Sequence, residues 1–548
     1  MVNHTYKVPF HSIPRTPPLF VDYLERGSAS AKFFPHHFLD PNSFQEVSQR
    51  LQFDTPRREA LVRALVRQNE QWGMQARTRE NLEALAETKC FAVVTGQQVG
   101  LLTGPCYTAY KALSAIRLAQ HLTERGIQCV PMFWMETEDH DLGEVDHVGL
   151  LDSSSQSLSS VRLTFEAGTE GRPVGKIVLE PGLAAFQEAV RKQLPVNSEF
   201  AEQTMALVGE CYQEGRTIGD GFALMMEKLF GAHGLILVDP SDPALISLSP
   251  PIFEWVLQEF HVLRTRMSRT NEEIARSGFE PQIKLDSQST LLFFFEDGIR
   301  RLLLDEGDHV MPKGSNRRMT LREAVGMAQS EPHKFSASVA VRPLLQDHLL
   351  PTIAYVGGPS ESSYLAQLSG FYELFGRPMP VLVPRGSHTV LTEKAQKIMA
   401  KYELDFASVL KGEERLTAQV FERSVSAEAA AQFDMLRDEL SIAFDRLKPL
   451  LEQADLTLIG ALGTARQKVD YQLNHLKSKY LQAEKRRNET IVQQIAALEN
   501  MLWPRKNLQE RELNICYFLA RYGRDYLRVV FEATEPLPTE HSVLCVET

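Results

Sequence analysis

Residues 90–141, CFAVVTGQQVGLLTGPCYTAYKALSAIRLAQHLTERGIQCVPMFWMETEDHD, decide the fold. Cys90 to Val94 is a short apolar, β-branched run ending at Gly96, the pattern of a strand buried on both faces. A glycine-rich loop follows. YKALSAIRLAQHLTERG then keeps helical spacing and stops near Gly126. IQCVPMFWM is a second buried run. Strand, glycine turn, helix, strand is a βαβ unit, which calls for a parallel sheet and a right-handed crossover.

Outward from this unit, residues 57–88 read as one helix and residues 1–55 as irregular. VRLTFEAGTEGRPVGKIVLEP suggests a hairpin around Gly168–Gly171, followed by a helix near 182–194. A helix over 200–231 leads into GLILVDP, a third buried strand, and residues 250–278 are helical. LLFFFEDGIRRLLLDEG reads as a β-hairpin turning at Asp297-Gly298. PTIAYVGGPSE and MPVLVP supply two more strands, closing the α/β part at Pro384. Beyond about residue 391 the character changes. Phe433, Leu436, Leu440, Phe444, Leu447 and Leu451 fall at helical spacing, and Val469, Leu473, Leu476 and Tyr480 follow a 4-3-4 pattern. Two such seams in a Glu-, Lys-, Arg- and Gln-rich stretch predict an antiparallel helical hairpin of coiled-coil type. The tail, a helix and then LRVVFEAT, is expected to return to the core.

The 548-residue chain is long enough for a sizeable core, and 43% hydrophobic with 24% charged residues fits a globular protein. Lys plus Arg (59) against Asp plus Glu (70) gives a net charge of −11, which disfavours binding to a nucleic-acid backbone. Six cysteines without a C-x-x-C pair point to reduced thiols and no zinc site. No basic-then-apolar leader and no membrane-length apolar run is visible, so a cytoplasmic protein with no membrane partner is expected.

Three loops carry the candidate chemistry. Thr95, Gly96, Gln97 and Gln98, with Gly104, Pro105, Tyr107 and Lys111, sit where the first strand gives way to a helix. Ligands bind at that rim in open α/β sheets, and helix amino ends favour anions. Lys111, one turn into the helix, is a candidate for a phosphate or carboxylate; the alternative is a loop whose glycines only make turns. Glu136, Glu138, Asp139 and Asp141, with His140, follow the second strand on the same rim. Such a density of carboxylates suits a general base, an ammonium pocket or a magnesium site, or else a solvated acidic loop with a capping Asp. Tyr355, Gly357, Gly358, Ser360 and Glu361 follow a third strand. Ser360 could instead simply cap the next helix. Arg342 and Arg385 are candidate cations for a polycarboxylate.

VVTGQQVGLLTGPCYTAYKALSAIRLA, WMETEDHDLGEVDH and SVAVRPLLQDHLLPTIAYVGGPSESSYLAQL resemble, in the same order, the distinctive segments of the cysteine ligase family of bacillithiol biosynthesis. LFGAHGLILVDPSDP and NLQERELNICYFLARYG agree, so the resemblance spans essentially the whole chain. It implies an α/β fold: a Rossmann-like parallel-sheet core with a connecting-peptide-type insertion and a long antiparallel α-helical coiled coil. The expected domains are 1–147 and 201–390 for the two halves of the core, 148–200 for the insertion, 391–505 for the coiled coil and 506–548 for the returning tail. It further implies a homodimer, and a ligase that forms a carbon–nitrogen bond by adding cysteine to glucosaminyl-malate, the last step of bacillithiol synthesis. More loosely, Gly104-Pro105, Tyr107, a helix, a strand and an acidic loop are similar to the opening of class I aminoacyl-tRNA synthetases. The H-I-G-H and K-M-S-K-S sequences of those enzymes are absent, and Tyr107 to Lys111 stands where the first would be.

From the implied substrates, an amide bond needs an activated carboxyl and a neutral amine. ATP or another adenine nucleotide, ADP included, is the expected activating cofactor, with magnesium as its companion and no zinc. His140 or Asp141, beside Glu138, is the expected base, while Asp139 would hold substrate. Lys111, Arg342 and Arg385 would meet malate's carboxylates, and Tyr355 and Gly357–Glu361 would form the opposite wall. The 95–98 loop and the helix after Pro105 would cradle the nucleotide's phosphates or the malate. The alternatives are a nucleotidyltransferase-like enzyme activating another small acid, or a non-catalytic dimeric nucleotide-binding scaffold.

Overall fold

The computed structural model describes residues 2–166, 168–424, 427–487 and 489–546. Its strands, in chain order, are β1 (Val2–Pro9), β2 (Phe91–Gln98), β3 (Cys129–Glu136), β4 (His147–Leu151), β5 (Leu158–Arg162), β6 (Ile236–Val238) and β7 (Ser289–Glu296). They continue with β8 (Ile299–Asp305), β9 (Val310–Pro312), β10 (Phe335–Ala337), β11 (Thr352–Gly357), β12 (Val381–Pro384), β13 (His388–Thr392) and β14 (Glu540–Val546). The centre is a five-stranded sheet in the order β12-β11-β2-β3-β6, with every pairing parallel. Its strands are buried along most of their length, which is why they read as apolar runs rather than as an alternation. The helix Cys106–Glu124 crosses between β2 and β3, so the βαβ unit stands as read. The fold is α/β and Rossmann-like.

An antiparallel sheet, β10-β7-β8-β9, lies beside it. Its hairpin turns at Asp297 and Gly298, which have φ of 53° and 76°. Two successive positive φ values are the mark of a type I′ turn, and Asp-Gly tolerates them best. The third sheet, β1-β14-β13, joins the two ends of the chain: β1 runs antiparallel to β14, and β13 parallel to it.

Several expectations are corrected. Residues 1–55 are not irregular: they hold β1 and the helices Pro18–Leu24 and Pro41–Arg50. The helix expected over 57–88 is two, Thr55–Gln71 and Ala76–Leu85, parted at Gly73 with φ of 82°. That over 200–231 is likewise two, Glu199–Cys211 and Ile218–Phe230, parted at Gly215 with φ of 84°. In both cases each side of a left-handed glycine keeps its own helical apolar spacing, and periodicity alone does not mark the break. The hairpin around Gly168–Gly171 does not form. β5 pairs instead with β4, and Val178 makes a single bridge to Thr217. LRVVFEA belongs to the helix Asp525–Ala533, and β14 is the segment that rejoins the sheet.

The helices Ala427–Ala454 and Leu458–Arg487 pack against each other as the hairpin. Its seam is only partly internal. Leu473 is 7% exposed and the Phe433 and Tyr480 rings lie 6.0 Å apart, but Leu436, Leu447 and Leu476 are 42%, 47% and 54% exposed. Among the described residues no helix is long and apolar enough to cross a membrane.

Candidate active site

A cavity of about 650 Å³ opens at the carboxyl ends of β2, β3 and β11. Such a rim is where open parallel sheets place ligands. The structure brings together Gly96, Gln97, Gln98, Tyr107 and Lys111 on one wall, Asp139 and His140 on the next, and Arg342, Gly358, Ser360, Glu361 and Arg385 on the third. Seven candidates lie off the cavity wall. Thr95 Oγ1 donates to Val356 O at 2.8 Å, tying β2 to β11. Gly104 and Pro105 pack under Asn514, whose Nδ2 donates to Gly104 O at 2.6 Å. Tyr355 supports the wall from behind, its hydroxyl donating to Glu361 Oε1 at 2.9 Å, and Gly357 O receives Arg385 N–H at 2.9 Å. Glu138 Oε2 accepts from Ser336 Oγ at 2.8 Å, and Asp141 is exposed.

Lys111 is not a free anion-binding group. Its side chain is 2% exposed, and Nζ meets Gly96 O at 2.7 Å, Gln97 Oε1 at 3.0 Å and Glu361 Oε2 at 2.5 Å. An ammonium has three N–H donors, and all three are spent. Burial alone would raise the Glu361 carboxyl; the Lys111 charge, together with the hydrogen bonds from Lys111, Gly358 N–H and Tyr355, outweighs that and holds it below the usual carboxylate range. Glu361 also accepts Gly358 N–H at 2.9 Å, so it, and not Ser360, satisfies the amino end of the helix Pro359–Leu365. Arg342 is committed as well, to Glu136 Oε1 at 2.6 Å and the Tyr364 hydroxyl at 2.5 Å.

The acidic loop is braced from two sides. Gln98 Nε2 donates to Asp139 Oδ2 and Glu144 Oε2, both at 2.6 Å. Burial would raise Asp139, but the Gln98 hydrogen bond and the Arg300 charge outweigh it and keep the carboxyl below its usual value. Arg300, from β8, lies 3.8 Å over the Phe293 ring and contacts His140 Nδ1 at 3.2 Å. A guanidinium only donates, so Nδ1 accepts and the ring proton sits on Nε2. Burial and the Arg300 charge both push His140 down, leaving a neutral imidazole. With Nδ1 occupied and Nε2 protonated, His140 offers the cavity a donor rather than a base, and Asp141 does not face it.

Burial pushes the Glu138 carboxyl up to about 7, against the opposing charge of Arg300. A carboxyl raised in the fold binds its proton more tightly there than in the unfolded chain. Stability is therefore lost as pH climbs from about 4.5 through 7. Glu138→Gln is expected to raise the melting temperature at pH 8 and leave it unchanged at pH 4; an equal shift at both would dispose of the raised pKa.

The amino end of Cys106–Glu124 does not fit a phosphate chain. Cys106 N–H is spent on Leu513 O at 2.7 Å, and Lys111 has no donor left. The Cys106 thiol is buried and pushed well up, which makes it inert. A second groove, of about 900 Å³, lies between 392–398, 490–497 and Arg521-Tyr522. There the Arg521 Nε and Nη2 are buried without a hydrogen-bond partner among the described residues, and Lys394 lines the same groove, as does Lys397, which is paired with Glu393 at 2.5 Å. An unpaired buried guanidinium is the kind of group an anion would satisfy.

Sequence reasoning missed Arg300, Phe293 and Arg511, all of which line the cavity, as does Tyr364 at the end of the third candidate loop. Arg511, from the tail, is exposed, lies 5.6 Å from the Tyr107 ring centroid, and has no carboxylate within 4.0 Å among the described residues. Glu144, whose charge also reaches Tyr107, has no cation within 4.0 Å among them. Among the described residues, Arg511 and Glu144 thus stand without an ion pair beside the same ring; Lys284 and Asp286, elsewhere on the cavity wall, also lack one.

Comparison with known proteins agrees over the full length. Residues 7–386 match the family model for the bacillithiol biosynthesis BshC N-terminal Rossmann-like domain, and residues 388–546 that for its C-terminal coiled-coil domain. Relatives described as "Putative cysteine ligase BshC" include one from Koribacter versatilis, 34% identical and covering 98% of this chain and 99% of its own. Another, from Salinibacter ruber, is 32% identical and covers 99% and 98%. A solved structure described as "putative arginyl t-RNA synthetase" from Campylobacter jejuni is 13% identical over 86% of this chain and 98% of its own; its TM-score of 0.22 carries no argument. The chain belongs to the bacillithiol biosynthesis BshC family.

Proposed function

We propose that this chain is a cysteine ligase that joins the carboxyl of cysteine to the sugar amine of glucosaminyl-malate, completing bacillithiol. The family supports the reaction, and one observation supports the place: Glu144 and Arg511 flank Tyr107 with no opposite charge within 4.0 Å among the described residues. A ligand with an ammonium at one end and carboxylates at the other complements that pair. Glucosaminyl-malate is such a molecule. Glu144 holds its ammonium and is placed to take the proton as the amine attacks; Arg511, with Arg385 behind it, receives malate's carboxylates. Lys111 and Arg342 build the wall and do not bind.

An adenine nucleotide is proposed for the second groove, with Arg521 and Lys394 toward its phosphates. When bound, ATP would supply an activating phosphoryl or adenylyl group, with magnesium as its companion. The exposed seam leucines support pairing of two chains through the helical hairpin. Six buried, unpaired thiols suit a reducing cytoplasm.

The test incubates purified protein with glucosaminyl-malate, cysteine and Mg-ATP, and again with each left out, reading thiols by mass spectrometry. Bacillithiol is expected from the complete mixture alone, together with AMP or ADP. No bacillithiol from the complete mixture would sink the ligase reading. Product without ATP would remove the nucleotide from it.

A further inference from the structure

We propose that Glu510 is a positioning residue for the acceptor: from a segment beyond the helical hairpin it fixes Arg385 in the cavity wall. The proposal rests on the ligase reading of that cavity. Glu510 does not line the cavity and is 0% exposed. Its Oε1 accepts from Arg385 Nη2 at 2.6 Å and Ser387 Oγ at 2.8 Å, and its Oε2 from His388 N–H at 2.8 Å. Burial would raise this carboxyl, but the Arg385 charge and hydrogen bond, the nearby His541 and the His388 N–H together hold it below the usual carboxylate range, so Glu510 stays ionised.

Arg385 itself is 3% exposed and lines the cavity. Two of its five N–H donors are spent, on Glu510 and on Gly386 O at 2.9 Å. Its Nε has no partner and faces Gly358, where a Cβ would sit 3.4 Å away. A buried guanidinium held at one edge keeps the other edge toward the cavity wall. Without the carboxylate, it has a buried charge to satisfy and no fixed direction in which to do so.

The segment carrying Glu510 is itself clamped. Gln509 Nε2 donates to Val390 O at 3.0 Å and Met501 O at 2.6 Å, and its Oε1 accepts Val390 N–H at 2.8 Å. Asn514 Nδ2 reaches Leu102 O at 3.0 Å and Gly104 O at 2.6 Å. Between these clamps stand Glu510, which aims Arg385, and Arg511, which enters the cavity. The coiled-coil domain therefore completes the acceptor subsite of the Rossmann-like domain, through one short run of chain.

A clasp with no part in binding predicts something different. Its loss would lower stability and move kcat and both KM values together. The test measures Kd of glucosaminyl-malate by calorimetry, steady-state kinetics and melting temperature for Glu510→Gln, Glu510→Asp and Ser387→Ala. Glu510→Gln is expected to raise Kd and KM for the acceptor about tenfold, with kcat and the cysteine KM within about threefold. Glu510→Asp, which keeps the charge, recovers part of that affinity, and it carries the test should the Gln variant not fold. Ser387→Ala removes the hydroxyl's contacts to Glu510 at 2.8 Å and His541 Nδ1 at 2.7 Å but not the ion pair, and lowers the melting temperature with the acceptor KM within about twofold. An unchanged acceptor Kd in Glu510→Gln, or kcat and both KM values shifting in step with melting temperature, overturns the proposal. A wild type that binds acceptor without making product sinks the ligase reading while Kd still judges Glu510; one that binds no acceptor sinks both.

Discussion

Arg511→Ala is expected to lower kcat/KM for glucosaminyl-malate by about 10- to 100-fold, mostly through KM, and to leave the melting temperature nearly unchanged. The size follows from removing one charge-assisted contact, worth about 1.5–3 kcal/mol when the partner is charged. The small effect on stability follows from exposure: the guanidinium has no carboxylate within 4.0 Å among the described residues, so its removal strands nothing. The other cavity cations would behave differently. Arg342, Arg385 and Lys111 each neutralise a buried or half-buried carboxylate, and truncating them would damage the fold before it reported on substrate. Arg511→Lys keeps the charge but loses the planar fork, and falls between wild type and Ala. The effect should also shrink for an acceptor lacking the malate carboxylates. A loss that is the same for both acceptors, or one carried by kcat alone, would remove Arg511 from the malate subsite.

The parallel sheet was legible because burial on both faces leaves a plain apolar signature in β2, β3, β6, β11 and β12. The rim loops were legible by position, since they follow those strands. β1 was not, because VNHTYKVP alternates weakly and its partner β14 stands at the opposite end of the chain. The same distance hid the binding chemistry. Arg511 comes from the tail and Arg300 from a hairpin 160 residues after His140, and an arginine carries no local mark of where it will be brought. Lys111 shows the converse. One turn into a helix behind a glycine loop, it looked like an anion binder; Glu361, in the first turn of the helix after β11, has already taken its charge. Residue type and spacing located the rim, but which charges there remain unspent is a property of tertiary pairing.

That distinction can be measured at Lys111. Lys111→Met is expected to cost about 3–5 kcal/mol of stability, the usual consequence of leaving one member of a buried ion pair alone. The stranded group would be Glu361, which also loses the cation that holds its carboxyl down. It can escape by taking a proton, so the cost of Lys111→Met should be smaller at pH 5 than at pH 8. Adding Glu361→Gln should return most of the loss, because a neutral amide can keep the contacts to Gly358 N–H and the Tyr355 hydroxyl without a buried charge. A phosphate-binding lysine would give the reverse pattern: little change in stability from the single substitution, a large fall in ligand affinity, and no rescue by the second. Denaturation of the two single variants and the double variant, at both pH values, separates the two. Additive losses would show that the pair is not coupled and return Lys111 to the list of substrate contacts.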